Sequence, residues 1–151
     1  GWTPLHLVCS IASNVEAVLK PGGLENAEGL ISTAYAKDPF DPAWEDDAEV
    51  KAFLEWEKTN LTEGNPRDSG VVLGYMASFL AAHVLQQSGS TLTRENVLNV
   101  ATHLNNLRVP MLLPGITVTT TPTDYSVINK FQIQRFEHNH WVRIGPTISG
   151  Q

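Results

Sequence analysis

Cysteine is scarce in this chain of 151 residues: Cys9 is the only one, which excludes an internal disulfide and any zinc site built from several thiolates. Basic residues are few and scattered, 10 Lys plus Arg against 16 Asp plus Glu, and the resulting net charge of -6 repels phosphate backbones and anionic lipid. No nucleic-acid partner is expected. Long apolar runs are missing as well. The uncharged stretch from Gly70 to Thr93 is broken by Gly74, Ser78, His83, Gln86, Gln87, Ser88, Gly89 and Ser90, so neither a bilayer-spanning helix nor direct membrane insertion is expected. The first residues carry no basic region, apolar run and small-residue cleavage site of a signal peptide. Gly1 opens the chain without an initiator Met and an apolar run follows at once, so the chain is expected to begin inside a domain.

What is present is a hydrophobic fraction of 42%, enough for one ordinary core in a chain of this length. Residues 5–9 (LHLVC) form a strand-like run. Ser10, Ser13 and Asn14 are polar N-cap residues ahead of Val15, Val18 and Leu19, whose spacing predicts a short helix ended by Pro21-Gly22-Gly23. Residues 29–35 (GLISTAY), rich in β-branched side chains, predict a strand, and the Pro- and Asp-rich residues 37–43 a loop. Over residues 46–61, Val50, Phe53, Leu54 and Leu61 share one stripe, with Asp46, Asp47 and Glu49 in the first turn, as in an amphipathic surface helix. Residues 64–68 break the pattern as a linker.

Residues 69–88 are apolar on nearly every side, which predicts a fully buried helix stopped by Gly89. Thr93 caps the next helix, with Leu92 and Val97 at staple positions and Val97, Ala101 and Leu104 on its apolar face. Residues 110–115 read as a bounded loop and 116–120 as a short strand. Residues 129–136, a turn at His138-Asn139 and residues 141–144 predict a terminal β-hairpin.

Few constellations carry chemistry. His138-Asn139-His140 has metal-ligand spacing, but no third ligand stands nearby, and Asn tolerates the positive φ of a hairpin turn. No metal site is expected. Ser10 and Ser13 with His6 lack the glycine-framed elbow of a hydrolytic serine. Cys9, in an apolar run, reads as a small buried hydrophobe, and His83 as a core or interface histidine. Gly22, Gly23, Gly64, Gly70, Gly74 and Gly115 form no phosphate-cradling spacing. The sequence points away from an enzyme and from any cofactor. What remains is a strand followed by Ser10, Ile11, Ala12, Ser13 and Asn14, a small polar loop opening a helix. Ligands of open α/β sheets lodge at such edges, although the same residues also serve as an ordinary helix cap.

The order of motifs is more specific than any one of them. Ser10-Ile-Ala-Ser-Asn-Val, Leu19-Lys-Pro-Gly-Gly-Leu-Glu-Asn-Ala-Glu-Gly29, Ala34-Tyr-Ala-Lys-Asp-Pro39, Asp41-Pro-Ala-Trp44, Gly74-Tyr75, Leu92-Thr-Arg-Glu-Asn96, Leu112-Leu-Pro-Gly115, Thr121-Pro-Thr-Asp-Tyr125 before Ser126, and Arg135-Phe136 with Trp141 follow in series. Together they resemble the C-terminal part of the extracellular solute-binding proteins of branched-chain amino acid type ABC transporters. The resemblance implies an α/β fold, part of a two-lobed periplasmic-binding-protein-like architecture with a terminal β-hairpin. Residues of about 1–36 and 115–151 would belong to the second lobe, and the helices of about 69–110 to the first.

The function implied is capture of a small organic solute between two lobes for an ABC importer, with hinge closure as the working step. The partners implied are the small-molecule solute, a transporter permease, and either the missing N-terminal lobe or another copy of the chain. The location implied is periplasmic or extracellular. A ligand-sensing domain of a regulator with the same fold is the alternative. By the resemblance, the ligand-binding residues are Ser10, Ile11, Ala12 and Ser13, with Tyr75, after the linker, either approaching the inter-lobe region or serving equally as a core aromatic. Amino-acid-binding members place an acidic residue where this chain has Ala12. That departure favours an aromatic or aliphatic carboxylate over a zwitterion; Glu16, one helical turn on, is placed to substitute for the acidic residue but reads more readily as a solvated first-turn charge.

Overall fold

The computed structural model describes residues 4–63 and 67–150, so Gly1 and most of the 64–68 linker lie outside the described residues. Three strands, β1 (Ile31–Ala34), β2 (Lys130–Glu137) and β3 (His140–Ser149), form an antiparallel sheet in the order β1-β2-β3. The β2–β3 hairpin turns at His138 (φ 54) and Asn139 (φ 68), the positive φ pair of a two-residue connection whose twist matches the strands. Gln132, beside the register shift in β2, fills the irregularity by donating from Nε2 to the carbonyls of Ile144 (2.9 Å) and Gly145 (3.0 Å).

The strand-like run at 5–9 is reduced to a single parallel bridge, Leu7 to Ile31. Ile31 N–H donates to the His6 carbonyl at 3.0 Å, and Val8 N–H to the Ile31 carbonyl at 2.9 Å. Its other edge meets no strand of the described chain, and Leu5 and Leu7 are each 70% exposed. Cys9 is exposed too, contrary to the buried hydrophobe expected, because nothing covers this apolar run.

Three helices start at side-chain caps, of which the sequence reading marks Thr93, while Asp47, read as a first-turn residue, and Asp68, read as part of the linker, cap the other two. Asp47 Oδ1 accepts from the N–H groups of Glu49 and Val50 and starts α1 (Ala48–Asn60). Asp68 accepts from Gly70 N–H and starts α2 (Ser69–Gln87); Thr93 accepts from Asn96 N–H and starts α3 (Arg94–Ala101). Helix α2 departs from expectation: Val72, Met76 and Val84 are buried, whereas Leu73, Phe79 and Leu85 are 40%, 37% and 49% exposed. By length and apolar composition α2 is also able to cross a membrane. Here one face packs on the core and the other has no covering element among the described residues. Leu92 stays 63% exposed, so the expected staple with Val97 leaves it uncovered, and Leu104 is buried beyond the end of α3.

The residues expected as a loop at 110–115 hold the centre of the larger core. Met111 and Leu112 are fully buried and Leu113 nearly so, because 111–113 lie against the end of β1: Lys37 N–H donates to the Met111 carbonyl and Leu113 N–H to the Tyr35 carbonyl. The strand expected at 116–120 is one bridge, Leu107 to Val118.

Two separate hydrophobic clusters result. The larger joins Val50, Phe53, Val72, Met76 and Val84 of the helices with Val109, Met111, Leu112, Ile116 and Val118. The smaller is Leu19, Ala27 and Phe136, with Val15, Leu24, Leu30 and Trp141 packed on it. The chain crosses between them at the end of β1 and again ahead of β2.

Candidate functional site

The Ser10–Ser13 segment is one tight helical turn lying against β1. Ser13 Oγ donates to the Ser10 carbonyl at 2.6 Å, which commits the hydroxyl hydrogen inside the turn and leaves its oxygen as an acceptor. The indole of Trp141 donates from Nε1 to the Ser13 carbonyl at 2.8 Å while its ring packs edge-on against Phe136. The turn is therefore fixed from the hairpin side by the smaller hydrophobic cluster. Ser10, Ala12 and Ser13 are half-buried, and Ile11 projects at 80% exposure.

Asn14 fixes the turn from the other side. Its Oδ1 accepts from Ala17 N–H at 2.8 Å, capping the π-helical Val15–Leu19 segment, and its Nδ2 donates to Ser69 Oγ at 2.7 Å. Ser69 begins α2, so one amide joins the turn beside the smaller cluster to a helix of the larger. The sequence marks Asn14 as a cap, but the bridge across 55 residues leaves no local signal. Beside it, Glu16 Oε1 lies 2.6 Å from Lys20 Nζ and 3.5 Å from Arg67. The Lys20 hydrogen bond holds the Glu16 carboxyl below the usual carboxylate range. Glu16 is thus ionised and engaged by two cations rather than a free solvated charge. The Arg67 guanidinium also sits over the Phe40 ring, 4.5 Å from its centroid.

Tyr75 stands elsewhere. Its ring meets Phe53 at 5.2 Å and Trp56 at 4.9 Å between centroids, and it is half-buried between α1 and α2. Six residues beyond Ser69, it is about 9 Å further along the helix and about 120° around it. Among the described residues no hydrogen bond or ring contact joins Tyr75 to the turn. The structure brings Ser10, Ile11, Ala12 and Ser13 together and sets Tyr75 in an aromatic group of its own.

The other sequence motifs occupy plain surroundings. His138 and Asn139 are turn residues, His140 Nδ1 lies 3.2 Å from the His138 carbonyl, and the described residues hold no group of three metal-ligating side chains. His83 is half-buried and stacks on Phe79. Two open concavities of about 480 Å³ each flank Thr93, one lined by Ser88, Thr91, Glu95, Asn96 and Asn99, the other by Leu92, Arg94, Val97 and Leu98. Neither includes the turn. The turn's polar groups can orient a small ligand, and among the described residues no nucleophile and base are paired beside it.

No known family profile matches the sequence, and no curated protein matches it. Solved structures do match. A branched-chain amino acid ABC transporter protein of Thermus thermophilus, crystallised with bound valine, superposes with a TM-score of 0.79 over 99% of this chain at 14% identity. A leucine-binding protein of Thermotoga maritima superposes with a TM-score of 0.65 over 99% of this chain at 17% identity. The chain spans 40% of the first of these proteins and 38% of the second. Over nearly its whole described length, this chain carries part of the fold of the branched-chain amino acid binding proteins, with the expected α/β character and terminal hairpin.

Proposed function

We propose that the chain is part of the solute-binding component of an ABC importer, capturing a small organic solute between two lobes without making or breaking a bond. The observation that carries this reading is the likeness of 99% of the chain to about two-fifths of a valine-bound protein. In this reading the two hydrophobic clusters correspond to the lobes, with residues up to about 36 and the hairpin in one and the three helices in the other, although Ala34, Tyr35 and Ala36 pack on the helix side. Ile116 and Val118 pack with the helices, which favours a boundary beyond Val118. The Ser10–Ser13 turn and the start of α2 face one another across the Asn14–Ser69 hydrogen bond, and this junction is the proposed mouth of the cleft. In this reading the exposed face of α2 and the free edge at Leu5 and Leu7 are covered by the remaining three-fifths of a two-lobed protein, which acts outside the membrane and delivers its solute to a permease.

The turn offers no carboxylate. Ala12 has no charge and Glu16 is engaged by Lys20 and Arg67, so the solute we propose is an aliphatic or aromatic carboxylate or an amide, without an ammonium group. The test is a thermal-shift panel of valine, aromatic carboxylates and small amides, run on the full product of the encoding gene. A solute at about a hundred times its dissociation constant adds roughly 2.7 kcal/mol to the state that binds it. A shift with carboxylates or amides is expected. A shift with valine alone would reject the proposed solute class, and no shift with any of them would reject this capture function.

A further inference from the structure

One indole, packed on the larger hydrophobic cluster, meets two cations. The ring of Trp44 has Lys37 Nζ 5.2 Å from its centroid and the Arg143 guanidinium carbon 4.5 Å from it. Arg143 belongs to β3, in the hairpin that carries the smaller cluster. Trp44 itself packs on the larger cluster and Lys37 lies at the end of the β1 crossing. We propose that Trp44, which meets Lys37 of the β1 crossing and Arg143 of the hairpin, is the clasp that sets the angle between the two clusters.

Two groups of ion pairs meet at the clasp, joined to each other through the Trp44 ring. Arg143 also lies 3.8 Å from Asp41. Lys37, with a side chain only 2% exposed, lies 2.7 Å from Asp47 and 2.8 Å from Glu49. Glu49 then takes the Arg108 guanidinium through both carboxylate oxygens, at 2.9 and 2.8 Å. Three cations and three carboxylates run from the hairpin to the segment beyond α3. This set is anchored in the larger cluster because Asp47 caps α1 and Lys37 N–H donates to the buried Met111 carbonyl at 2.7 Å. It is loose at one place, the hairpin end, where Arg143 is 37% exposed and its carboxylate contact is long. A planar guanidinium on an indole face slides and tilts at little cost while keeping its attraction, which suits a joint that must hold yet give. Two further polar links between the clusters, Asn14 to Ser69 and Glu16 to Arg67, lie at the proposed cleft mouth. This inference stands on the two clusters alone and does not require the proposed solute.

The single cysteine makes the test direct. Exposed Cys9 on the smaller-cluster side and a second label at Lys58→Cys on α1 report the inter-cluster distance by double electron-electron resonance. The parent protein is expected to give one narrow distance peak, and Trp44→Leu and Arg143→Gln each to lose it to a broad distribution. Arg135→Gln, which removes the Arg135–Glu137 pair within β2, serves as the control and is expected to keep the narrow peak. If Trp44→Leu does not fold, Arg143→Gln alone decides. An unchanged peak in Arg143→Gln, or equal broadening in Arg135→Gln, would overturn the assignment.

Discussion

Lys37 and Glu57 are both buried, at 3% and 5% exposure, and their surroundings treat them in opposite ways. Lys37 meets two carboxylates, and the hydrogen bond from its ammonium holds Asp47 below the usual carboxylate range. Burial pushes Glu49 up, but Lys37 and Arg108 outweigh it and its net displacement is also downward. Carboxyls with depressed folded values add stability that is present above their unfolded values, near pH 4, and is lost as pH falls through the folded ones. Lys37→Ala is therefore expected to lower neutral stability by about 2 kcal/mol, less than a wholly buried pair because the carboxylates are partly exposed, and to flatten the loss in acid. Urea unfolding from pH 7 to pH 3 checks both effects.

Glu57 shows the reverse sign. Its Oε1 is buried without a hydrogen-bond partner among the described residues, and burial raises its carboxyl above the usual range. Its cost appears as pH rises through the folded value and is absent below the unfolded one. Glu57→Leu is expected to gain about 1–2 kcal/mol at neutral pH and nothing below about pH 4; a loss at neutral pH in the same urea experiment would contradict this. None of this is legible in sequence, where Glu57 stands between Trp56 and Lys58 on a helix read as amphipathic. Which charges become buried depends on distant partners such as Arg108.

At the scale of elements, what is locally encoded was readable. Thr93 caps α3 through a side chain three residues from the group it binds, and Asn139 accepts positive φ within its own turn. What depends on distant packing was not. Residues 111–113 look like a Pro-bounded loop, yet their burial comes from lying against the end of β1. Helix α2 carries enough apolar side chains for burial all round, but only one face meets the described chain. Asn14 combines both kinds of information: a local cap and a hydrogen bond to Ser69. Asn14→Ala is expected to cost about 1 kcal/mol through the lost cap and to speed amide exchange at Ala17. Unchanged exchange at Ala17 would show that the cap does not hold this segment.

For the whole molecule, the series of short motifs points to a two-lobed binding fold, and the structural likeness agrees over 99% of the chain. Of the candidate site, the turn was legible because a strand, a small polar loop and a helix are consecutive in the chain. Its supports were not, since Trp141 lies 128 residues from the Ser13 carbonyl it binds. Tyr75 was drawn to the site by its order in the motif series, whereas helical geometry turns it toward Phe53 and Trp56.

The most direct measurement is amide hydrogen exchange on the full product of the encoding gene, with and without a pooled mixture of carboxylates and amides. The account predicts solute-dependent protection at residues 10–17 and at the start of α2 near Ser69, with the hairpin turn at His138 unchanged. No protection at the turn, or protection confined to the concavities around Thr93, would contradict it.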